Sequence, residues 1–151
     1  MPVVSIYTTD PQIWSRLAGM LAALGESAPE PIRTEAFSDF AAFLDSGRCN
    51  PRRILMLAQE GAGSVELAAA AVVECPENPL IWLSDLDFAL YSYRLEVTHF
   101  ALLPGTEEML RSALRSCEKK RARLPTELPL PLPAPRRSLW QRLIRRICLK
   151  D

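Results

Sequence analysis

The most informative stretch of the chain is Arg53-Ile54-Leu55-Met56-Leu57-Ala58-Gln59-Glu60. Its centre, from Ile54 to Ala58, is an unbroken apolar run, which predicts a central strand of a parallel sheet, covered on both faces. In open α/β sheets the functional residues lie just beyond the carboxyl ends of such strands. This strand ends in Ala58, whose methyl group can neither act as a nucleophile nor bind a metal ion.

The size and composition are those of one globular domain, since the chain has 151 residues, of which 48% are hydrophobic and 24% charged. No apolar run approaches the roughly 18 residues of a membrane-spanning helix, and Met1–Ser5 lacks the basic region of a signal peptide. We therefore expect a cytoplasmic protein. The four cysteines are scattered without a CxxC pair, which predicts reduced, buried or partly buried thiols and no metal site; they are Cys49, Cys75, Cys117 and Cys148.

The charge is divided unequally along the chain, although its formal net value is zero. Residues 1–117 contain 8 Lys and Arg against 15 Asp and Glu, a net charge of −7. Residues 118–151 contain 10 against 3, a net charge of +7. An acidic body with a basic tail indicates two parts with different roles.

Strand and helix patterns alternate along the body. Strands are predicted at residues 3–7, 32–37, 53–58, 80–83 and 98–103. Helices are predicted to begin at Pro11 after an Asp10 cap, after a Ser38 cap, at Ser64, at Leu86 and after a Thr106 cap. Five such units predict a doubly wound, flavodoxin-like three-layer sandwich, with a five-stranded parallel sheet in the order 2-1-3-4-5.

Two patterns between Asn78 and Leu114 point to a known family. Pro79-Leu80-Ile81-Trp82-Leu83-Ser84 forms a strand pattern that ends in a hydroxyl, and Phe88-Ala89-Leu90 is followed by Phe100-Ala101-Leu102-Leu103-Pro104. In this order and spacing they resemble the fourth strand and the "YAL…YLLKP" pattern of the receiver domains of bacterial response regulators, closest to those of LytTR type. The resemblance covers about residues 3–122 and implies the same fold.

The resemblance implies that the charged residues of the phosphorylation site are missing. Receivers end their first strand with two acidic residues that hold magnesium, and the matching positions are Thr8 and Thr9, with Asp10 next along. The aspartate that accepts the phosphoryl group corresponds to Ala58, and the lysine of the fifth strand corresponds to Leu103.

Other features of the family site are kept. The hydroxyl of the fourth strand matches Ser84, and the switch aromatic of the fifth strand matches Phe100. Pro104 also remains, so the resemblance implies a cis Leu103–Pro104 bond.

These losses predict a degenerate receiver, or pseudo-receiver, that is not an enzyme and needs no metal or cofactor. Two threonines cannot replace the anionic oxygens that Mg²⁺ prefers, and Ala58 offers no nucleophile. Gln59 and Glu60 are weak substitutes as acceptors, since both are expected to point past the strand end. We therefore predict a phosphorylation-independent protein-interaction domain of bacterial signal transduction or transcription control.

The resemblance also suggests the partner surface, because receivers bind partners through their fourth helix, fifth strand and fifth helix. On the fourth helix, Tyr91 and Tyr93 are candidates for this surface. The residues that we select are Tyr91, Arg94, Phe100, Arg111 and Arg115, together with Trp140 and Ile144 of the tail.

The tail divides into two segments after a receiver-like domain at residues 1–123. Residues 124–137 alternate proline with leucine, which predicts an extended linker or strap. Residues 138–151 predict a basic amphipathic helix, with an apolar stripe that includes Trp140 and Ile144. We favour a role in binding a regulator, a kinase or a second copy of the chain, with an anionic membrane surface as the second choice.

Two further alternatives remain open at this stage. The strand-end crevice could hold a flavin or nucleotide, although Tyr7-Thr8-Thr9-Asp10 is a poor phosphate loop. The basic tail could instead bind nucleic acid, although no dedicated DNA-binding module follows the body. His99, the only histidine, is expected to be an ordinary strand residue, and Asp85 or Asp87 is expected to cap a helix.

Overall fold

The structure is a computed structural model that describes residues 2–124. The strands are β1 (Val3–Tyr7), β2 (Arg33–Phe37), β3 (Ile54–Ala58), β4 (Leu80–Ser84) and β5 (His99–Leu102). The helices are α1 (Pro11–Glu26), α2 (Phe40–Cys49), α3 (Ser64–Glu74), α4 (Ala89–Leu95) and α5 (Glu107–Arg121). The linker and tail helix predicted at 124–137 and 138–151 lie outside the described residues, apart from Leu124.

The five strands form one parallel sheet in the order β2-β1-β3-β4-β5, which confirms the predicted doubly wound, flavodoxin-like architecture. The registers pair Tyr7 with Leu57, Ala58 with Leu83, and Ser84 with Leu102. The carboxyl ends of β1, β3, β4 and β5 therefore meet at one edge, which we call the carboxyl edge.

Strand β3 lies at the centre of the fold, with every residue from Ile54 to Ala58 fully buried. Its side chains alternate between two cores. Leu55 and Leu57 pack in the layer of α2, α3 and α4, whereas Ile54, Met56 and Ala58 pack in the layer of α1 and α5. Burial of each large side chain contributes about 1.5–3 kcal/mol, so this strand stabilises both layers at once.

Helix caps account for several boundaries. The Asp10 carboxylate accepts from the Gln12 amide at 2.9 Å, and Thr106 accepts from Met109 at 3.2 Å, as the sequence predicts. The cap predicted at Ser38 is wrong: Asp39 caps α2 through the Ala41 amide at 3.1 Å.

Helix α4 is shorter than predicted, because it begins at Ala89 rather than at Leu86. The Asp87 carboxylate accepts from the Ala89 amide at 3.1 Å and so holds the turn that precedes the first helical residue. Leu86 and Asp87 therefore belong to the loop between β4 and α4.

Polar contacts tie the opposite, amino edge of the sheet together. The buried Asn78 side chain donates to the carbonyls of Asn50 and Arg53, each at 2.9 Å. The Lys120 ammonium donates to the carbonyls of Pro76 and Asn78 at 3.2 and 3.1 Å, and its burial lowers the pKa of Lys120. These contacts fix the end of α5 beside the start of β4.

The cysteines only partly match the expectation of buried thiols. Cys75 and Cys117 are buried, and burial raises the pKa of each to about 12, so both stay protonated thiols. Cys49, the last residue of α2, is exposed, and Cys148 lies outside the described residues. None of the helices in residues 2–124 combines the length and apolar character that crossing a bilayer requires.

Candidate functional site

The carboxyl edge is where the sequence places the candidate site, and Ala58 lies there without reaching solvent. Its exposed fraction is 0%, and it packs with Met56, Leu83 and their neighbours in the α1/α5 layer. A cleft of about 390 Å³ opens at this edge. Ala58 is absent from its lining, which consists of Asp10, Gln12, Ile13, Arg16, Leu17, Glu60, Asp85, Leu103 and Pro104.

The two threonines that follow β1 are engaged in local hydrogen bonds. The buried Thr8 hydroxyl accepts from the Asp10 amide at 3.2 Å. The Thr9 hydroxyl lies 3.0 Å from Gln59 Nε2 and 3.2 Å from Gln59 Oε1, and the Thr9 amide donates to the same Oε1 at 3.3 Å. Neutral groups thus connect the ends of β1 and β3.

Gln59 corrects one expectation from the sequence. Its side chain was expected to point past the end of the strand, whereas it turns back across the edge to Thr9. The signal available in the sequence was the polar residue directly after the buried run, but a strand pattern does not fix the direction of the first residue beyond it.

Both aspartates at the edge are already used by the backbone. Asp10 is the cap of α1, so its carboxylate faces helix amides rather than the end of β3. Asp85 accepts from the Gly61 amide at 2.8 Å and so links the loop after β4 to the loop after β3. Gly61 has a φ of 86°, in the left-handed region that favours glycine.

Ser84 and Leu103 lie where the sequence places them, at the ends of β4 and β5. The Ser84 hydroxyl is buried and accepts from the Leu86 amide at 3.3 Å. The Leu103 amide donates to the Ser84 carbonyl at 2.8 Å, and the Leu103–Pro104 bond is cis. The half-buried Leu103 side chain packs against the α1/α5 core and presents hydrocarbon to the cleft.

Arg16 is the cationic side chain that lines this cleft, and the sequence analysis did not select it. It projects from α1 and donates to the Gly105 carbonyl at 3.3 Å, which connects α1 to the turn after Pro104. The cleft thus contains three carboxylates, of Asp10, Glu60 and Asp85, and one guanidinium. Within residues 2–124, no cluster of three or more His, Cys, Asp or Glu side chains has an arrangement that could hold a metal ion.

An aromatic cluster holds α4 against β4 and β5 beside this edge. Trp82 is fully buried, with its ring centroid 5.3 Å from Phe88 in a stacked pair and 5.2 Å from Phe100 in an edge-to-face pair. Tyr91 packs edge-to-face on Phe88 at 5.8 Å. Phe100 therefore faces inward, and Tyr91 is half-buried.

The residues selected as a partner surface fall into two groups. Tyr91, Arg94 and Phe100 belong to α4 and β5, and Arg94 is exposed. Arg111 and Arg115 are exposed on α5 but line a groove of about 550 Å³ with α1, on the other side of that helix. Trp140 and Ile144 lie outside the described residues.

Exposed apolar side chains mark a surface that the sequence analysis did not identify in full. Four large hydrophobic side chains of residues 2–124 are exposed: Tyr93 at 83%, Leu90 at 53%, Leu102 at 49% and Leu86 at 42%. All four belong to α4, the loop before it and the end of β5, and we call them the α4 patch. Of these four, Tyr93 is a surface candidate by its sequence position, whereas a hydrophobic pattern predicts the three leucines to be core residues.

His99 is half-buried at the start of β5, and burial lowers its pKa, so the imidazole is mostly neutral near neutral pH. It lies at the amino end of its strand, far from the carboxyl edge. This position fits the expectation of an ordinary strand residue.

Comparison with known proteins identifies the fold. No protein-family model matches the chain, and no curated protein sequence matches it. Among solved structures, the chain is similar to the signal receiver domain of a modulated diguanylate cyclase from Desulfovibrio desulfuricans, with a TM-score of 0.57 and 20% identity over 82% of this chain and 99% of that one.

Two further structures have similar scores. The signal receiver domain of an HD domain-containing protein from Pseudomonas fluorescens gives a TM-score of 0.57 and 18% identity over 82% of this chain and 93% of that one. A CheY-like protein from Pseudomonas aeruginosa gives a TM-score of 0.55 and 16% identity over 85% of this chain and 99% of that one. The strand order, the helix layers and these likenesses together show that residues 2–124 have the CheY-like fold of response regulator receiver domains.

Proposed function

We propose that this chain is a pseudo-receiver: a non-catalytic protein-interaction domain of bacterial signal transduction or transcription control that works without phosphorylation. The observation that carries the proposal is Ala58, which ends the central strand fully buried and outside the cleft. In this fold, the end of that strand is the position from which a side chain would reach a ligand at the carboxyl edge.

The ends of the neighbouring strands support the proposal, because they do not supply the charges that are missing. Phosphoryl transfer relies on metal ions and cations that stabilise charge on the phosphoryl oxygens. The ends of β1 and β5 carry Thr8, Thr9 and Leu103, which have no charge. Asp10 and Asp85 are held by backbone amides, so their use as metal ligands would compete with the helix cap of Asp10 and with the contact of Asp85 to the Gly61 amide.

The hydrogen bonds at the edge support a fixed conformation rather than a switch. Gln59 and Thr9 connect β3 to β1 through neutral groups, and this connection needs neither a metal nor a phosphate. Phe100 is packed on Trp82 in the same state. In this proposal, the conformation of the partner-binding surface does not depend on phosphorylation.

The partner class that we propose is a protein: a regulator, a kinase or a second copy of the chain. Exposed apolar groups of the α4 patch support this choice, because contiguous exposed apolar surface is typical of interaction sites. Arg94 lies within this surface, whereas Arg111 and Arg115 would extend it only across α5. The tail at residues 124–151 remains a predicted second binding segment.

The flavin or nucleotide alternative has less support. A phosphate at the start of α1 would meet the carboxylate of Asp10, and Pro11 removes one of the free amides that bind anions. The cleft walls include Glu60 and Asp85, which add further negative charge.

The test is exposure of the full chain to acetyl phosphate, and separately to beryllofluoride, each with Mg²⁺. We expect no phosphoryl adduct by intact mass and no change in melting temperature or amide NMR spectrum. A receiver domain with an aspartate at the end of its third strand serves as the positive control in the same buffers. A stable phospho-form of this chain, or a beryllofluoride-induced shift at Thr9, Gln59 or Ser84, would contradict the proposal.

A further inference from the structure

The α4 patch exposes four large hydrophobic side chains to solvent. Single exposed hydrophobic residues are common on protein surfaces, but this part of the chain places four large ones together. Leu90 and Tyr93 lie three residues apart on one face of α4. Leu102 pairs with Ser84 in the sheet, and Leu86 follows Ser84 by two residues, so these leucines share the carboxyl edge beside α4.

The charges around the patch are mainly negative. Asp85 and Asp87 flank Leu86, and both are exposed. Glu96, after the last residue of α4, instead lines a groove with Lys119, Lys120 and Arg123 and does not count toward the patch. Arg94 is the cation on the same helix. A binding partner that matches this surface has an apolar stripe bordered by basic residues.

The C-terminal segment of the chain has that pattern. Residues 138–151 repeat apolar side chains at helical spacing, and their basic residues lie largely off the stripe. The apolar set is Leu139, Trp140, Leu143, Ile144, Ile147 and Cys148, and the basic set is Arg142, Arg145, Arg146 and Lys150. The acidic residues beside the α4 patch and the basic residues of the tail have opposite charges, as do the body and the tail as wholes.

The segment between α5 and residues 138–151 is long enough to let the tail reach the α4 patch. Helix α5 ends at the amino edge of the sheet, where Lys120 contacts Pro76 and Asn78, whereas the patch lies at the carboxyl edge. Residues 125–137 span about 40 Å at the roughly 3.1 Å per residue of an extended proline-rich chain. A five-residue strand is about 17 Å long, so the segment can pass the height of the sheet and still reach α4.

The apolar groove between α1 and α5 does not match the charge of the C-terminal segment. It lies between α1 and α5, and its rim carries Arg111, Arg115 and Lys119 with Glu118. These cations would repel a basic helix. Charge therefore selects the α4 patch.

We propose that the C-terminal helix of the same chain docks on the α4 patch and covers Leu86, Leu90, Tyr93 and Leu102. A partner that binds this surface must then displace the helix, which makes the tail an autoinhibitory element. The docking goes beyond the proposed function, because it can be measured without any partner and whether or not the chain accepts a phosphoryl group.

Amide hydrogen exchange of the full chain, followed by mass spectrometry at low micromolar concentration, tests the docking. A helix of this length is marginal alone in water, so slow exchange in residues 138–149 reports a contact. A tether whose length suits the span between the two sites gives an effective concentration near millimolar, so we expect about tenfold protection of residues 138–149 even if the untethered helix binds only at about 100 μM.

Leu90→Gln combined with Tyr93→Gln in the full chain is the decisive variant, because both positions are exposed and glutamine maintains helices. We expect the protection of residues 138–149 to fall to that of an unfolded peptide. Ala22→Gln with Ala23→Gln, on the exposed face of α1, is the matched control and should keep the protection.

Three outcomes would overturn the proposal. The first is fast exchange of residues 138–149 in the unaltered chain. The second is protection that survives Leu90→Gln with Tyr93→Gln, which would place the helix elsewhere. The third is protection that disappears on dilution together with a dimer in light scattering, which would assign the contact to a second copy.

Discussion

At the scale of single residues, the polar side chains of the carboxyl edge contact one another and the backbone. Thr9 and Gln59 bind each other, while Asp10 and Asp85 bind backbone amides. Each of these contacts has a structural role of its own. These side chains therefore cap a helix and connect neighbouring loops, and Ala58, at the end of the central strand, has no functional group.

Asn78 provides a residue-scale prediction at the opposite edge. Asn78→Ala removes both donors to the carbonyls of Asn50 and Arg53, and leaves these acceptors without the buried side chain that satisfies them. We expect a loss of about 1–3 kcal/mol in the free energy of unfolding, measured by urea denaturation.

The matched control for this prediction is Asn50→Ala. It removes a single side-chain contact, from the Arg52 amide at 3.1 Å, at a half-buried position. Its expected loss is below about 1 kcal/mol. Equal losses in the two variants would show that the carbonyls beneath Asn78 find other donors.

At the scale of elements, α4 is the helix that sequence describes least well. Its apolar residues divide between a buried Leu95, a half-buried Tyr91 and the exposed Leu90 and Tyr93. The contact of Phe88 with Trp82 and the burial of Leu95 are among the contacts that place this helix on the sheet. A pattern of hydrophobic residues has no means of showing such a long-range pair.

The aromatic cluster gives the element-scale prediction. Phe88→Leu keeps most of the apolar volume but loses the stacked pair, and should lower the free energy of unfolding by about 0.5–1.5 kcal/mol. Phe88→Ala also loses the burial, with an expected cost of about 2–3 kcal/mol. Urea denaturation provides the energies, and the near-UV circular dichroism of Trp82 shows whether its environment has changed.

A result in which Phe88→Leu costs nothing would contradict the stabilising role of the stacked pair. A result in which both variants unfold at the same urea concentration would show that ring shape, rather than buried area, holds α4 to the sheet.

At the scale of the whole molecule, the sequence predicts the order and layers of the secondary structure elements but not the details of caps, turns and exposed faces. The strand order, the layers and the position of Ala58 follow from apolar runs and from the right-handed connection of parallel strands. The Asp39 cap, the late start of α4 and the turn of Gln59 do not, because each depends on a contact between distant segments or on a choice between adjacent polar residues.

Acid stability is a property of the whole molecule for which one ion pair allows a prediction. The Arg53 guanidinium donates to Glu35 at 2.7 Å and to the Ser5 hydroxyl at 3.0 Å, which joins β1, β2 and the residue before β3. The hydrogen bond from Arg53 lowers the pKa of Glu35 below its ordinary value near 4.5. The stabilisation is thus complete above that value and is lost as the pH falls through the lower pKa of the folded state.

A double-mutant cycle with Glu35→Gln and Arg53→Gln isolates this pair. We expect a coupling free energy of about 0.5–1 kcal/mol at pH 7, since the pair is partly exposed, and a coupling near zero once Glu35 is protonated. Urea denaturation of the four proteins at neutral and strongly acidic pH gives both values. A coupling that does not change with pH would assign the contact to packing of the Arg53 stem instead.

The burial of Ala58 also has a consequence for reversibility. An aspartate introduced there alone would place a carboxylate among the side chains of the α1/α5 core, where burial of an unpaired charge costs several kcal/mol. Thr8, Thr9 and Leu103 at the neighbouring strand ends carry no charge that could pair with this carboxylate. Ala58→Asp alone is therefore expected to lower the free energy of unfolding, so the core of this chain resists a carboxylate at the end of its central strand.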